Sequence, residues 1–164
     1  MELILLISNI KAFDLGISSF LTTDDGLKIN HPRPLRRQKE KLIKAQRDVA
    51  SKKRGSKNKM RANQKVARIH EKIANVRKDF QHKLALKLLR ENDIVILEKL
   101  NIASMLQSDG SILLANGYAI PRNGLNQNIS DASWGEFVRI IEYKAEKAGK
   151  KVVMKKNDLF FIHV

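Results

Sequence analysis

Residues 93–98, Asp93-Ile94-Val95-Ile96-Leu97-Glu98, form one apolar run closed at both ends by a carboxylate. Four branched apolar residues in succession, with no polar alternation, suit a strand buried on both faces of a sheet. Segments of helix-forming composition lie on both sides of this run, so it predicts a parallel sheet and an α/β fold class. The charge at its two ends sets its length, and Glu98 falls at the carboxyl-terminal end of the strand.

Upstream, residues 2–29 read as β-rich: an apolar run ending at Phe13-Asp14-Leu15-Gly16, a second run from Ile17 to Thr23, then Asp24-Asp25-Gly26 and a short Leu27-Lys28-Ile29. Asp-Gly between such runs is a hairpin signal, because glycine supplies the positive φ of a tight turn. Pro32 and Pro34 close the segment and allow a helix to begin near Leu35. Downstream, Lys151-Val152-Val153-Met154-Lys155 reads as a further strand. Before it, a cap near Ser130-Asp131 predicts a helix carrying Trp134, Phe137, Val138, Ile141 and Ala145 on one face and stopping at Gly149. Trp134 and Phe137 are expected to be core rather than a stacking platform. The Gly-, Asn- and Ser-rich residues from about 103 to 129 read as a long surface loop.

Between Arg33 and Arg90 the chain carries 21 Lys and Arg against only Glu40, Asp48, Glu71 and Asp79, a net +17 within a chain of net +15. Gly55-Ser56-Lys57-Asn58 is its one turn signal, so residues 35–54 and 59–90 are predicted to form a helical hairpin. The second helix carries an apolar stripe through Ala62, Val66, Ile69, Ile73, Val76, Phe80, Leu84 and Leu88. One sign of charge at this density repels itself unless polyanions relieve it, which points to nucleic acid as the partner. Arg36, Arg37, Lys52, Lys53, Arg54, Lys57, Lys59, Arg61, Lys65 and Arg68 are the expected contact residues. Only Phe80 is aromatic within the stretch, so phosphate contact is favoured over base stacking.

The sequence contains no cysteine, which excludes a disulfide framework, a thiolate zinc site and a cysteine nucleophile. The four histidines form no zinc pair by spacing, so no zinc is expected. The apolar opening Met1–Ile7 has no basic leader and is too short to span a bilayer. No membrane association is expected, and the location is read as cytoplasmic. Asp14 and Glu98 both fall at strand ends, where two carboxylates repel each other unless a hard cation bridges them. Taken alone, acidic strand ends are ordinarily solvated caps.

Several segments together resemble the OrfB/TnpB proteins of insertion sequences, RNA-guided DNA nucleases related to type V CRISPR effectors. They are Phe13-Asp14-Leu15-Gly16-Ile17, the Arg54–Asn58 turn, Arg68–Asn75 with Arg77–Lys83, Ile96–Asn101, Ile129–Phe137 and Glu142–Ala145, all in the same order. The resemblance implies a RuvC-like core of RNase H type, with three carboxylates holding magnesium or manganese, and DNA and RNA as partners. Asp14 matches the first carboxylate and Glu98 the second, as catalytic and metal-binding residues; Lys99 departs from the acidic or amide residue usual beside the latter. The family's preceding recognition region, four-cysteine ribbon and third aspartate have no counterpart in these 164 residues. The expectation is therefore a partial RuvC-like domain over residues 1–164, truncated at both ends, with the hairpin inserted at 35–90. Such a chain binds nucleic acid without catalysis of its own; the alternative is a non-catalytic nucleic-acid-binding regulator module.

Overall fold

The computed structural model describes residues 9–101, 112–113, 119–120 and 122–155. They divide into two compact units, one comprising the chain up to His31 and from Gln81 onward, the other Pro32–Phe80.

The first unit is built on a five-stranded sheet. β1 (Ile10–Asp14), β2 (Leu21–Thr23) and β3 (Lys28–Ile29) form an antiparallel meander. At the expected Asp24-Asp25-Gly26 turn, Gly26 adopts φ +81°, a conformation costly for any residue with a Cβ. Thr23 holds that turn closed, its hydroxyl oxygen accepting the Leu27 N–H at 2.9 Å and its carbonyl the Gly26 N–H at 2.9 Å. β4 (Ile94–Glu98) then pairs in parallel with β1 on one side and with β7 (Lys151–Lys155) on the other. The strand order is β3-β2-β1-β4-β7, so the decisive apolar run does occupy an interior strand with parallel neighbours. Its burial is uneven: Val95 and Leu97 are fully buried, whereas Ile94 and Ile96 on the opposite face are half-buried. The expectation of a strand buried on both faces is corrected to this extent: one face is fully buried and the other only partly.

The segment read as loop contains more structure than its composition suggests. β5 (Ile112–Leu113) and β6 (Ala119–Ile120) pair antiparallel as a separate two-stranded ladder, and α3 spans Arg122–Ala132. The loop expectation is thus corrected at these residues; positions 103–111, 114–118 and 121 lie outside the described residues. α4 (Trp134–Lys147) follows α3 after a single residue, Ser133, which sits at φ 51°. The expected cap at Ser130-Asp131 therefore moves to Ser133, because Ser130 and Asp131 already belong to α3.

A buried side chain from the long helix α2 (Lys57–Glu91) fixes that break. Gln81, with no solvent exposure, donates through Nε2 to the carbonyls of Ala132 at 3.0 Å and Ser133 at 3.1 Å. The Ala132 carbonyl belongs to the last turn of α3, where a helix leaves its carbonyls without partners of its own, whereas the Ser133 carbonyl also accepts the N–H groups of Glu136 at 3.0 Å and Phe137 at 3.3 Å. α4 packs on β7 and presents Trp134, Phe137 and Ile141 to the core, all at most 1% exposed. Phe137 meets Phe20 edge to face at 5.1 Å, an arrangement that adds about 1 kcal/mol beyond burial. Trp134 and Phe137 are core residues, as their helical spacing predicts.

The second unit consists of α1 (Pro34–Ala50) and the part of α2 before Gln81. α1 begins on Pro34, where a missing N–H costs nothing. Ser56 caps α2, its hydroxyl accepting the Lys59 N–H at 3.1 Å. α2 runs for 35 residues, about 52 Å at helical rise. On its apolar stripe Ala62 and Ile73 are buried, Val66, Ile69 and Phe80 half-buried, and Val76 is exposed.

Candidate functional site

β1 feeds β2 and β3 on one side of itself, and the chain then returns through helix to place β4 on its other side. The sheet therefore reverses direction of growth between β1 and β4. In open α/β sheets the crevice beyond the carboxyl ends of the strands at such a reversal is where ligands bind. Asp14 and Glu98 end the two strands that flank it.

Their relative position follows from the register. Phe13 pairs with Leu97 in the parallel β1–β4 ladder, and Asp14 and Glu98 come one residue later on each strand. Side chains alternate between faces along a strand, so residues paired across a parallel ladder share a face. Phe13 and Leu97 point together into the core, at 1% and 0% exposure, and Asp14 and Glu98 belong to the opposite face. The two carboxylates differ sharply in environment: Asp14 is exposed, while Glu98 is only 5% exposed.

The turn after Asp14 is tight. Leu15 is buried, anchoring the chain directly beyond the carboxylate, and a Cβ added at Gly16 would lie 3.2 Å from the Ser19 carbonyl oxygen. Glycine at this position lets the chain fold back on itself right after Asp14. Lys99 N–H donates to the Lys155 carbonyl at 2.8 Å, so the β4–β7 pairing continues past Glu98 and holds that strand end in place.

The chemistry of this donor set fits one hard divalent cation, since two carboxylates on neighbouring strands supply anionic oxygen ligands of the kind magnesium and manganese take. Among the described residues there is no group of three or more His, Cys, Asp or Glu able to share an ion. Asp24 and Asp25 belong to the β2–β3 turn. The Asp25 carboxylate accepts the Thr23 hydroxyl and the Lys11 ammonium, and these bonds, the first above all, hold its pKa down at about 2. Asp93 lies beyond the other end of β4, with Lys150 Nζ 3.5 Å from its carboxylate.

Of the ten basic residues expected to contact nucleic acid, Arg36 and Arg37 are exposed on α1, Lys53 and Arg54 in the turn, and Lys57, Arg61, Lys65 and Arg68 on α2. Lys52 and Lys59 are half-buried, and Lys52 is engaged with Asp48 at 3.1 Å, four residues earlier. Spacings of four, four and three align Lys57, Arg61, Lys65 and Arg68 on one face of α2. Lys72, exposed and four residues further on, extends that row and is absent from the ten expected contacts; the i, i+4 spacing from Arg68 is the signal that finds it. No described helix is long and apolar enough to cross a membrane.

The sequence profile of the OrfB_IS605 family, described as "Probable transposase", matches residues 9–109, more than half of the chain. Two relatives share the name "Putative RNA-guided DNA endonuclease". The one from Streptomyces pristinaespiralis is 40% identical over 142 residues, covering 86% of this chain and 32% of its own length. The other, InsQ from Escherichia coli strain K12, is 26% identical over 141 residues, covering 85% of this chain and 35% of its own length. The chain thus spans about a third of the length of the curated relatives it matches.

Proposed function

This chain belongs to the OrfB_IS605 transposase family, and from that premise we propose that it is a nucleic-acid-binding part of a transposon-encoded, RNA-guided DNA endonuclease with a RuvC-like core of RNase H type. The observation that carries this reading is the placement of Asp14 and Glu98 at the ends of β1 and β4, on either side of the point where the sheet reverses. A mixed sheet whose meander gives way to parallel strands supports the RNase H-like assignment. The names of both relatives support DNA and RNA as partners.

Asp14 and Glu98 would hold one magnesium or manganese ion, which when bound activates water and stabilises a leaving oxygen in phosphodiester hydrolysis. Asp14, exposed at the strand end, is the residue placed to meet an arriving ion or phosphate. Glu98, fixed by its burial and by the pairing beyond it, supplies the other carboxylate. The hairpin of residues 35–90 binds phosphates through the exposed cations of α1, its turn and α2. With two carboxylates matching the family's motifs, these 164 residues bind nucleic acid and do not cleave it unaided.

The test is titration with single-stranded RNA, single-stranded DNA and duplex DNA at several salt concentrations, alongside Mn²⁺ binding to the native and Asp14→Asn proteins. Salt-sensitive binding of nucleic acid together with Mn²⁺ binding that depends on Asp14 supports the reading. Nucleic-acid binding with no Asp14-dependent ion returns the chain to a non-catalytic regulator module.

A further inference from the structure

The β4–β7 register sets Lys155 directly beside Glu98. Residues paired across parallel strands share a face, and neighbouring strands stand roughly 4.8 Å apart. Across β1, β4 and β7 the carboxyl-terminal edge therefore reads Asp14, Glu98, Lys155: two anions and then a cation. The Lys155 side chain is exposed, and its own carbonyl, bonded to the Lys99 N–H at 2.8 Å, keeps the strand paired to its last residue. At the other end of the same two strands the lysine that precedes β7 is matched with the aspartate that precedes β4, Lys150 Nζ lying 3.5 Å from the Asp93 carboxylate.

We propose that Lys155 sets the divalent-cation affinity of the Asp14–Glu98 pair and couples it to phosphate; the proposal rests on the reading of that pair as ion ligands. An ammonium one strand away from Glu98 repels a divalent ion seated on the two carboxylates and competes with it for their field. The same ammonium attracts a phosphate brought to the edge. A phosphodiester beside the ion places anionic oxygen between the two cations and relieves their repulsion, so the ion binds weakly to the free protein and more tightly when a phosphodiester is present. By linkage the ion strengthens phosphodiester binding by the same factor. Lys155 is on this account a positioning residue for the ion and a contact for phosphate.

The experiment measures free Mn²⁺ by electron paramagnetic resonance during titration of the full chain, with and without the dinucleotide pTpT. It uses the native protein, Lys155→Gln, Lys155→Arg, Lys151→Gln and Asp14→Asn, each checked for native Trp134 fluorescence. Lys151 is exposed at the other end of β7, so Lys151→Gln makes the same change of net charge away from the edge. Without pTpT, Lys155→Gln is expected to bind Mn²⁺ about threefold to tenfold more tightly than native, Lys155→Arg like native, and Lys151→Gln within about twofold. With pTpT, the native chain and Lys155→Arg gain more affinity for Mn²⁺ than Lys155→Gln does. Equal Mn²⁺ affinities of native and Lys155→Gln, or a tightening of Mn²⁺ binding in Lys151→Gln as large as that in Lys155→Gln, overturn the role of Lys155 while leaving the ion site standing if Asp14→Asn abolishes binding. Mn²⁺ binding indifferent to Asp14→Asn overturns the ion site itself, and the role of Lys155 with it.

Discussion

Glu98 ends β4 beside Asp14 at the end of β1, one residue past the Phe13–Leu97 pair, yet Glu98 is almost wholly buried and Asp14 lies open to solvent. On the proposed reading, an ion shared by the pair would have one fixed ligand and one accessible ligand. Asp14→Asn is expected to weaken Mn²⁺ binding by about tenfold or more, because it removes the anionic oxygen the ion meets first. Binding followed by water-proton relaxation checks this. An experimental structure is expected to place the two carboxyl groups within roughly 10 Å, since each ligand oxygen must come to about 2–2.6 Å of one ion. A larger separation sinks the shared site.

The row Lys57, Arg61, Lys65, Arg68 and Lys72 on α2 leads to a prediction about salt. Each phosphate neutralised contributes about −0.7 to −0.9 to the slope of log affinity against log salt. Replacing Arg61, Lys65 and Arg68 together by Ala is therefore expected to make the slope shallower by about 2 to 3 and to weaken binding similarly for unrelated sequences. Phe80→Leu should leave affinity within about twofold if stacking plays no part. An unchanged slope in the triple variant, or loss of binding on Phe80→Leu alone, counts against phosphate contact by this helix.

Much of this arrangement is legible in the sequence wherever the signal is local. The apolar run 94–98, the strand 151–155, the Asp-Gly turn and the Pro34 helix start each depend on a few neighbouring residues, and each appears in the fold. α3 was not legible because its own residues argue against it: Gly124, Asn126 and Asn128 favour turns, and the helix survives with Ile129, Asp131 and Ala132 buried and Gln81 bonded at its end. Ser133 as the break between α3 and α4 is likewise set by Gln81, 52 residues earlier. The motif matches bring out Asp14 and Glu98, but the contrast in their exposure and the neighbouring Lys155 follow only from strand register.

Gln81 gives a prediction about stability. Gln81→Leu keeps the bulk and removes both donors to the α3–α4 break; the Ser133 carbonyl keeps the N–H of Glu136 at 3.0 Å, while the Ala132 carbonyl loses the Gln81 amide. The expected loss is about 1–3 kcal/mol. Gln81→Glu sets a buried carboxylate against two carbonyls and should cost more than about 3 kcal/mol, or fold only with the side chain protonated. Urea unfolding read by Trp134, the single tryptophan and itself 1% exposed, reports on this junction directly. If Gln81→Glu is no worse than Gln81→Leu, the amide clamp is not what holds the break.

Asp25 predicts a narrow acid dependence at the β2–β3 turn. Its carboxylate is held from the ordinary 3.8 down to about 2 by the Thr23 hydroxyl and the Lys11 ammonium. A depressed folded-state pKa contributes stability that is fully present above the unfolded value and disappears as pH falls through the folded one. The native chain is thus expected to lose this contribution between about pH 4 and pH 2, and Asp25→Asn to lack that part of the pH dependence while differing from native above pH 4. Amide exchange at Gly26 and Leu27 in both proteins across this range is the check. Identical profiles in native and variant would show that the turn does not depend on the charge.

The last prediction concerns catalysis by the isolated chain. Phosphodiester hydrolysis with paired ions requires enough anionic ligands to hold both against their mutual repulsion, and Asp14 and Glu98 provide for one. The described residues contain no group of three acidic, histidine or cysteine side chains that could hold a metal ion, and the cation Lys155 stands in register beside Glu98. Purified chain incubated with Mg²⁺ or Mn²⁺ and single-stranded, duplex or RNA-paired DNA is therefore expected to bind without cutting, with Asp14→Ala as the contamination control. Cleavage present in the native protein and absent from Asp14→Ala would mean that a third carboxylate joins the pair. Asp158, three residues past Lys155 in the sequence, is the first to replace by Asn in that event. If Asp158→Asn then abolished cutting while leaving nucleic-acid affinity unchanged, the ion site would extend beyond β7, and the balance of charge at this edge would have to be drawn again with three anions to one cation.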